Sequence, residues 1–78
     1  MNHIVYKVKV GLIIMDRKYN GKSVVVIMNG NDREQTIALA PYAESLPKSL
    51  AKDVLTGKVI TLGKDLTLSN RQMYVLEF

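Results

Sequence analysis

Hydrophobic and polar residues alternate with a period of two along most of the chain. Between residues 3 and 10, apolar side chains occupy every second position, and lysines take part of the other side. This spacing is typical of a strand with one buried face. Gly11 interrupts the pattern, and a glycine within a strand often marks a bulge or a bend. Residues 12–15 continue as a more apolar strand that ends in the polar residues 16–19.

The clearest turn signal is Asn20-Gly21, which lies between two apolar runs. Both residues accept a positive φ, as a type I′ hairpin turn requires. The returning strand, residues 23–28, is rich in β-branched residues and is apolar on both faces. Such a run predicts a central strand that is covered on both sides. Residues 12–15 and 24–28 are therefore the predicted core.

The rest of the chain is divided by glycine, asparagine and proline into further short strands. Residues 40–49 hold both prolines, which predicts a loop with at most one helical turn near residues 42–46. The further predicted strands are residues 34–39, 51–55, 58–62, 66–68 and 73–78. Seven or eight short strands separated by turns predict an all-β fold, either an antiparallel β-sandwich or a barrel.

Composition narrows the class of protein to one small globular domain with few groups for catalysis. The 78 residues are 47% hydrophobic and 23% charged, as in ordinary globular domains. The absence of cysteine excludes thiol catalysis and a cysteine-based zinc site, and the single histidine, His3, argues against a histidine cluster. No cofactor and no metal are therefore expected. No apolar run approaches the roughly 20 residues of a membrane helix, and no signal peptide precedes the first strand pattern.

The net charge of +4 leaves nucleic-acid binding open as an alternative function for a small basic β-domain. The cations are mostly lysines scattered along the chain, and the aromatic residues form no pair on one strand. Nucleic-acid binding by a small β-barrel relies on such aromatic platforms beside basic residues. We therefore expect a solvated lysine face and no nucleic-acid partner.

The seven carboxylates offer little for acid–base chemistry. Five of them lie in or beside predicted turns, or at solvent-facing or edge positions of strands: Asp16, Asp32 and Asp65, then Glu34 and Glu77. Only Glu44 and Asp53 lie where separate elements could meet. Because solvated and turn-capping acids are the usual case, a structural or solvated role is predicted for all seven. No catalytic residue is assigned.

Two tyrosines are candidate sugar contacts. Carbohydrate-binding modules stack aromatic rings on sugar faces, and this chain has no tryptophan. Tyr19 and Tyr42 lie at turn and loop positions, where a ring could be offered to a glucan. An autonomous carbohydrate-binding module is thus a second alternative function. The competing use of both rings is packing with the hydroxyl group in water.

Several short segments of the second half resemble one family. They are Tyr42-Ala43-Glu44, Lys52-Asp53-Val54-Leu55-Thr56-Gly57-Lys58-Val59-Ile60, Leu66-Thr67-Leu68 and Tyr74-Val75-Leu76-Glu77. Together they resemble the C-terminal β-domain of α-amylase-superfamily glycoside hydrolases, of the neopullulanase and cyclomaltodextrinase type. The resemblance is good from about Gly11 onward, because the Tyr-Asn-Gly-Lys turn, the valine-rich strand and Met28-Asn29 are similar to the family's two-strand opening.

The resemblance implies a single C-terminal domain over residues 1–78, folded as an antiparallel Greek-key β-sandwich. It implies a partner, the catalytic (β/α)8 barrel of the same chain, and no membrane partner. Such a parent would hydrolyse α-1,4 or α-1,6 bonds of starch-derived glucans with retention, using carboxylates at the C-terminal face of its barrel. None of those carboxylates is in this sequence. The family resemblance is compatible with a periplasmic or a cytoplasmic location, and a face that meets the barrel should expose apolar side chains.

Overall fold

The computed structural model describes residues 2–19, 21–42, 45–46 and 49–78, with the backbone alone for residues 2, 3 and 19. Eight strands and one short 3-10 turn lie within these residues: β1 (Asn2–Lys9), β2 (Leu12–Tyr19), β3 (Lys22–Asn29), β4 (Gln35–Ala38), the 3-10 turn (Ala40–Tyr42), β5 (Leu50–Asp53), β6 (Val59–Thr61), β7 (Asp65–Leu68) and β8 (Met73–Glu77). The predictions for Asn20 and Glu44 fall outside the described residues.

The strands form two antiparallel sheets. The large sheet has the order β1-β2-β3-β8-β5-β6, and the small sheet consists of β4 and β7. Strand β8 lies between β3 and β5, so the two parts of the large sheet are joined by a strand that is distant from β3 in sequence. The predicted all-β antiparallel sandwich of seven to eight strands is confirmed, with eight strands among the described residues.

The core lies between the two sheets. Every second residue of β2 and β3 points inward, and the predicted core segments are confirmed by the burial of Leu12, Ile14, Val25 and Ile27. The small sheet and the remaining elements add further buried apolar residues: Ile37, Leu39, Ala51, Leu62, Leu68 and Leu76. The period of two in the sequence therefore decides which side chains are removed from water.

The break at Gly11 is a full chain reversal and not a bend within one strand. β1 and β2 pair antiparallel on either side of it, with a bulge between Lys7 and Lys9. Gly11 has a φ of +75°, and a Cβ built there would lie 2.7 Å from Oδ1 of Asn31. Both the backbone conformation and the close approach therefore require glycine.

The expectation that Asp16 lies in or beside a turn is wrong. β2 continues through Tyr19, and Asp16 sits in its middle, opposite Ile4 on β1 and Val25 on β3. Its even position places it on the same face as Leu12, so it is buried, and its Oδ1 has no hydrogen-bond partner among the described residues. The hairpin register, which pairs residues 19 and 22, extends the strand past its polar end.

One further boundary differs from the sequence prediction. The strand expected over residues 51–55 ends at Asp53, because the Asp53 side chain caps the turn that follows. A 3-10 turn lies at Ala40–Tyr42, and the helical turn predicted near residues 42–46 falls partly on residues outside the described ones. Proline fits the first turn of a helix, where its missing N–H is not needed, and Pro41 lies there.

Candidate functional site

The buried carboxylates lie too far apart to act as a catalytic pair. Asp16 and Asp53 share one row of the large sheet, but Val25 and Leu76 stand between them. Three strand spacings of about 4.8 Å separate them by roughly 14 Å. Paired carboxylates of glycosidases are about 5–9.5 Å apart. Within the described residues, no group of three or more histidines and carboxylates could hold a metal ion.

The candidate sugar contact Tyr42 is used in packing. Its ring meets the ring of Tyr6 edge-on, with the centroids 5.1 Å apart and the planes at 70°. The Tyr6 hydroxyl is 3.1 Å from Oγ of Ser45, and this hydrogen bond joins β1 to the segment that follows the 3-10 turn. Tyr42 is half-buried as a result. The other candidate, Tyr19, ends β2, and its side chain lies outside the described part of the structure. Sugar contact by either tyrosine stays a prediction.

Two other features bear on the alternative functions. A shallow groove at the β1–β2 turn is lined by Lys9, Val10, Asn31, Asp32, Arg33 and Gln35. None of these side chains is aromatic, and Arg71 holds Asp32 in an exposed ion pair of 2.7 Å. The groove therefore lacks a stacking platform for a base or a sugar.

No helix in the described part of the chain is long and apolar enough to cross a membrane.

The large sheet presents a second apolar surface, which we call the outer face. It is the face turned away from the small sheet, and its apolar residues are Val5, Ile13, Met15, Val24, Val26, Met28, Met73 and Val75. Three charged residues, Lys7, Arg17 and Glu77, lie on the same face beside them. Val5, Met15, Val26 and Val75 are direct partners in one row across four strands. The prediction that β3 is central is thus confirmed, but its second face is only partly covered. Met28 on β3 is 39% exposed, and Met15 on the neighbouring strand β2 is 37% exposed.

The outward surface of the small sheet has the opposite character. Its exposed residues are small or polar: Thr36, Ala38, Asp65 and Thr67. The hydroxyl groups of Thr36 and Thr67 lie 3.0 Å apart across the two strands, as cross-strand polar pairs do on a solvated face. One side of the sandwich is therefore suited to water, while the outer face is suited to contact with another protein surface.

The fold is an antiparallel β-sandwich with one outward face that carries a row of apolar side chains. The sequence matches the cyclo-malto-dextrinase C-terminal domain family over residues 4–77, and the chain belongs to that family. The family resemblance read from the sequence motifs is thereby confirmed.

A solved structure is similar as well. It is the crystal structure of β-galactosidase from Bacillus circulans sp. alkalophilus, with a TM-score of 0.63 and 31% sequence identity. The similarity covers 86% of this chain and 9% of that chain, so this chain spans less than a tenth of the β-galactosidase.

Proposed function

We propose that this chain is the non-catalytic C-terminal domain of an α-amylase-family glycoside hydrolase of the neopullulanase and cyclomaltodextrinase type, which acts on starch-derived α-glucans. The domain stabilises the catalytic domain of the same polypeptide by packing the outer face against it. The observation that carries this proposal is the row of apolar partners across β1, β2, β3 and β8. Membership in a family of C-terminal domains supports the choice of partner.

The outer face has the size of a small interaction surface. Four strands about 4.8 Å apart and about four residues of 3.4 Å along β3 give a footprint on the order of 260 Å². Exposed apolar patches larger than a few hundred Å² mark contact sites, and a footprint of this size lies at the lower end of that range. Three exposed methionines, Met15, Met28 and Met73, lie in it. Because methionine is flexible and polarizable, it adapts well to a partner surface.

Burial of outer-face side chains contributes enough free energy to hold two domains of one polypeptide together. Full burial of a side chain such as methionine contributes about 1.5–3 kcal/mol. A domain linked to its partner needs far less affinity than a free one, because the linker holds the two at a high effective concentration. Removing the apolar character of two outer-face positions should therefore weaken docking without unfolding the sandwich.

The experiment compares two pairs of lysine substitutions. One pair, Met15→Lys and Met28→Lys, lies on the outer face. The control pair, Ala38→Lys and Ala40→Lys, lies at exposed positions of β4 and of the 3-10 turn. In the 78-residue chain both pairs should change the free energy of unfolding by less than about 1 kcal/mol, because exposed sites tolerate substitution.

In the complete polypeptide encoded by the gene, the two pairs of substitutions should have different effects on thermal unfolding. The outer-face pair should lower the melting temperature in calorimetry and split off a separate transition. Met15 and Met28 are 37% and 39% exposed before docking, so about 1–2 kcal/mol of burial against the partner is lost. The control pair should melt like the unsubstituted polypeptide. Identical melting of both pairs would contradict docking through the outer face.

A further inference from the structure

The turn between β5 and β6 has an unusually complete set of hydrogen bonds. Asp53 is buried, and its carboxylate accepts hydrogen bonds from the Leu55 N–H at 3.1 Å and from the Thr56 hydroxyl at 3.0 Å. Its backbone N–H donates to the Lys58 carbonyl at 2.8 Å, and its carbonyl accepts from the Gly57 N–H at 2.7 Å. The turn of residues 53–58 is therefore fixed by Asp53 at both the side chain and the backbone.

This rigid turn presents two neighbouring aliphatic side chains to water. Val54 is 50% exposed and Leu55 is 58% exposed. Neither side chain takes part in the hydrogen bonds that hold the turn, so the turn itself does not require an apolar residue at either position. Turn tips are ordinarily built from polar or small residues. The apolar character of Val54 and Leu55 therefore needs a different explanation.

The turn is continuous with the outer face. The Val54 N–H donates to the Val75 carbonyl at 2.8 Å, which extends the β5–β8 ladder by one residue. Val54 therefore continues the apolar row that includes Val26 and Val75. Leu50 and Val59, on the same hairpin, are also exposed. The exposed aliphatic side chains of the β5–β6 hairpin therefore adjoin the outer face.

We propose that the turn of residues 53–58 is the anchor of the interface with the catalytic domain of the same polypeptide. Val54 and Leu55 insert into an apolar surface of that domain, while Asp53 and Thr56 hold them in the binding geometry. A turn whose backbone is fixed before binding loses little conformational entropy there, and a few anchor residues carry most of the energy of an interface. The inference rests on the proposed function, because it names the part of the outer face that dominates docking.

Thiol accessibility tests the anchor, because the natural chain has no cysteine. Three single variants are compared: Leu55→Cys in the turn, Met15→Cys within the outer face, and Val10→Cys at the β1–β2 turn, where Val10 is 92% exposed. Each is reacted with N-ethylmaleimide in the 78-residue chain and in the complete polypeptide, and the modified peptides are measured by mass spectrometry. We expect the cysteines at positions 55 and 15 to react at least about tenfold more slowly in the complete polypeptide, and the cysteine at position 10 to react equally in both.

The outcomes separate the anchor from the proposed function. Protection at position 15 without protection at position 55 would overturn the anchor and leave docking by the outer face intact. If the cysteines at positions 55 and 15 each reacted at the same rate in the 78-residue chain and in the complete polypeptide, both the anchor and the proposed docking would be overturned.

A second pair of variants tests the holding role of the turn. Thr56→Val removes the hydroxyl that donates to Asp53 and accepts from the Lys58 N–H, whereas Thr56→Ser keeps it. In the complete polypeptide that carries Leu55→Cys, we expect Thr56→Val to accelerate labelling several-fold and Thr56→Ser to leave the rate unchanged. Equal labelling rates for the two variants would overturn the holding role.

Discussion

Replacement of Asn29 should be the most damaging single polar substitution in the described structure. Its Nδ2 donates to the carbonyl oxygens of Arg33 and Ser69 at 3.0 Å each, and to that of Leu68 at 3.4 Å. Its Oδ1 accepts from the Asn31 N–H at 3.0 Å. One fully buried side chain thus ties the loop after β3 to the loop after β7.

The magnitude follows from these bonds. Three bonds of about 3.0 Å contribute about 1 kcal/mol each, so Asn29→Ala should lower the free energy of unfolding by about 3 kcal/mol. A domain of this size has on the order of 5 kcal/mol in total. The matched control is Asn31→Ala, which removes one exposed bond to the Val10 carbonyl and should change stability by about 0.5 kcal/mol.

The assay is urea unfolding followed by far-ultraviolet circular dichroism. With a slope near 1 kcal/mol per M, the midpoint of Asn29→Ala should fall by about 3 M. Asn29→Asp keeps the acceptor for the Asn31 N–H but removes the donors and places a carboxylate beside carbonyl oxygens, so it should be at least as unstable. If Asn29→Ala lost no more than Asn31→Ala, or if Asn29→Asp matched the natural chain, the role of the buried amide would be refuted.

Two further predictions concern the β1–β2 turn and the sugar alternative. Gly11→Ala should lose about 2 kcal/mol of stability in the same assay, because it adds a contact with Asn31 to the strain of positive φ, whereas Gly21→Ala, with nothing within 4 Å, should lose only about 1 kcal/mol; equal losses would contradict the contact. Maltooligosaccharide at micromolar concentration should leave the NMR signals of Tyr19 and Tyr42 unchanged, because the Tyr42 ring already packs on Tyr6. The 78-residue chain should not hydrolyse it, because the buried carboxylates Asp16 and Asp53 lie too far apart to act as a pair. Saturable shifts at Tyr42 would favour the carbohydrate-binding module instead.

The sequence predicted the elements that depend on local patterns. The β-branched run of β3 and the Asn20-Gly21 signal placed the β2–β3 hairpin, because strand propensity and turn chemistry agree there. Asp16 lies within β2 and not at a turn, because the hairpin register and the alternation, and not the polarity of one residue, decide where the strand ends. The strand expected to reach Leu55 ends at Asp53, because a side-chain cap overrides the apolar residues that follow.

The outer face could not be predicted from residues 24–28 alone. A run that is apolar on both faces has the same sequence whether its second face is covered by its own chain or by another domain. The register of β1, β2, β3 and β8 was needed to show that the small sheet covers only one side. The same holds for the turn of residues 53–58, whose motif is visible in the sequence but whose rigidity depends on the burial of Asp53.

The central claim is that the outer face is buried against a catalytic domain, and three natural side chains report on it directly. Met15, Met28 and Met73 are exposed on that face in this chain, and peroxide converts accessible methionine to the sulfoxide. Oxidation rates are measured by mass spectrometry for the 78-residue chain and for the complete polypeptide. The account predicts that all three methionines oxidise at least about tenfold more slowly in the complete polypeptide. Equal rates in the two proteins would contradict it.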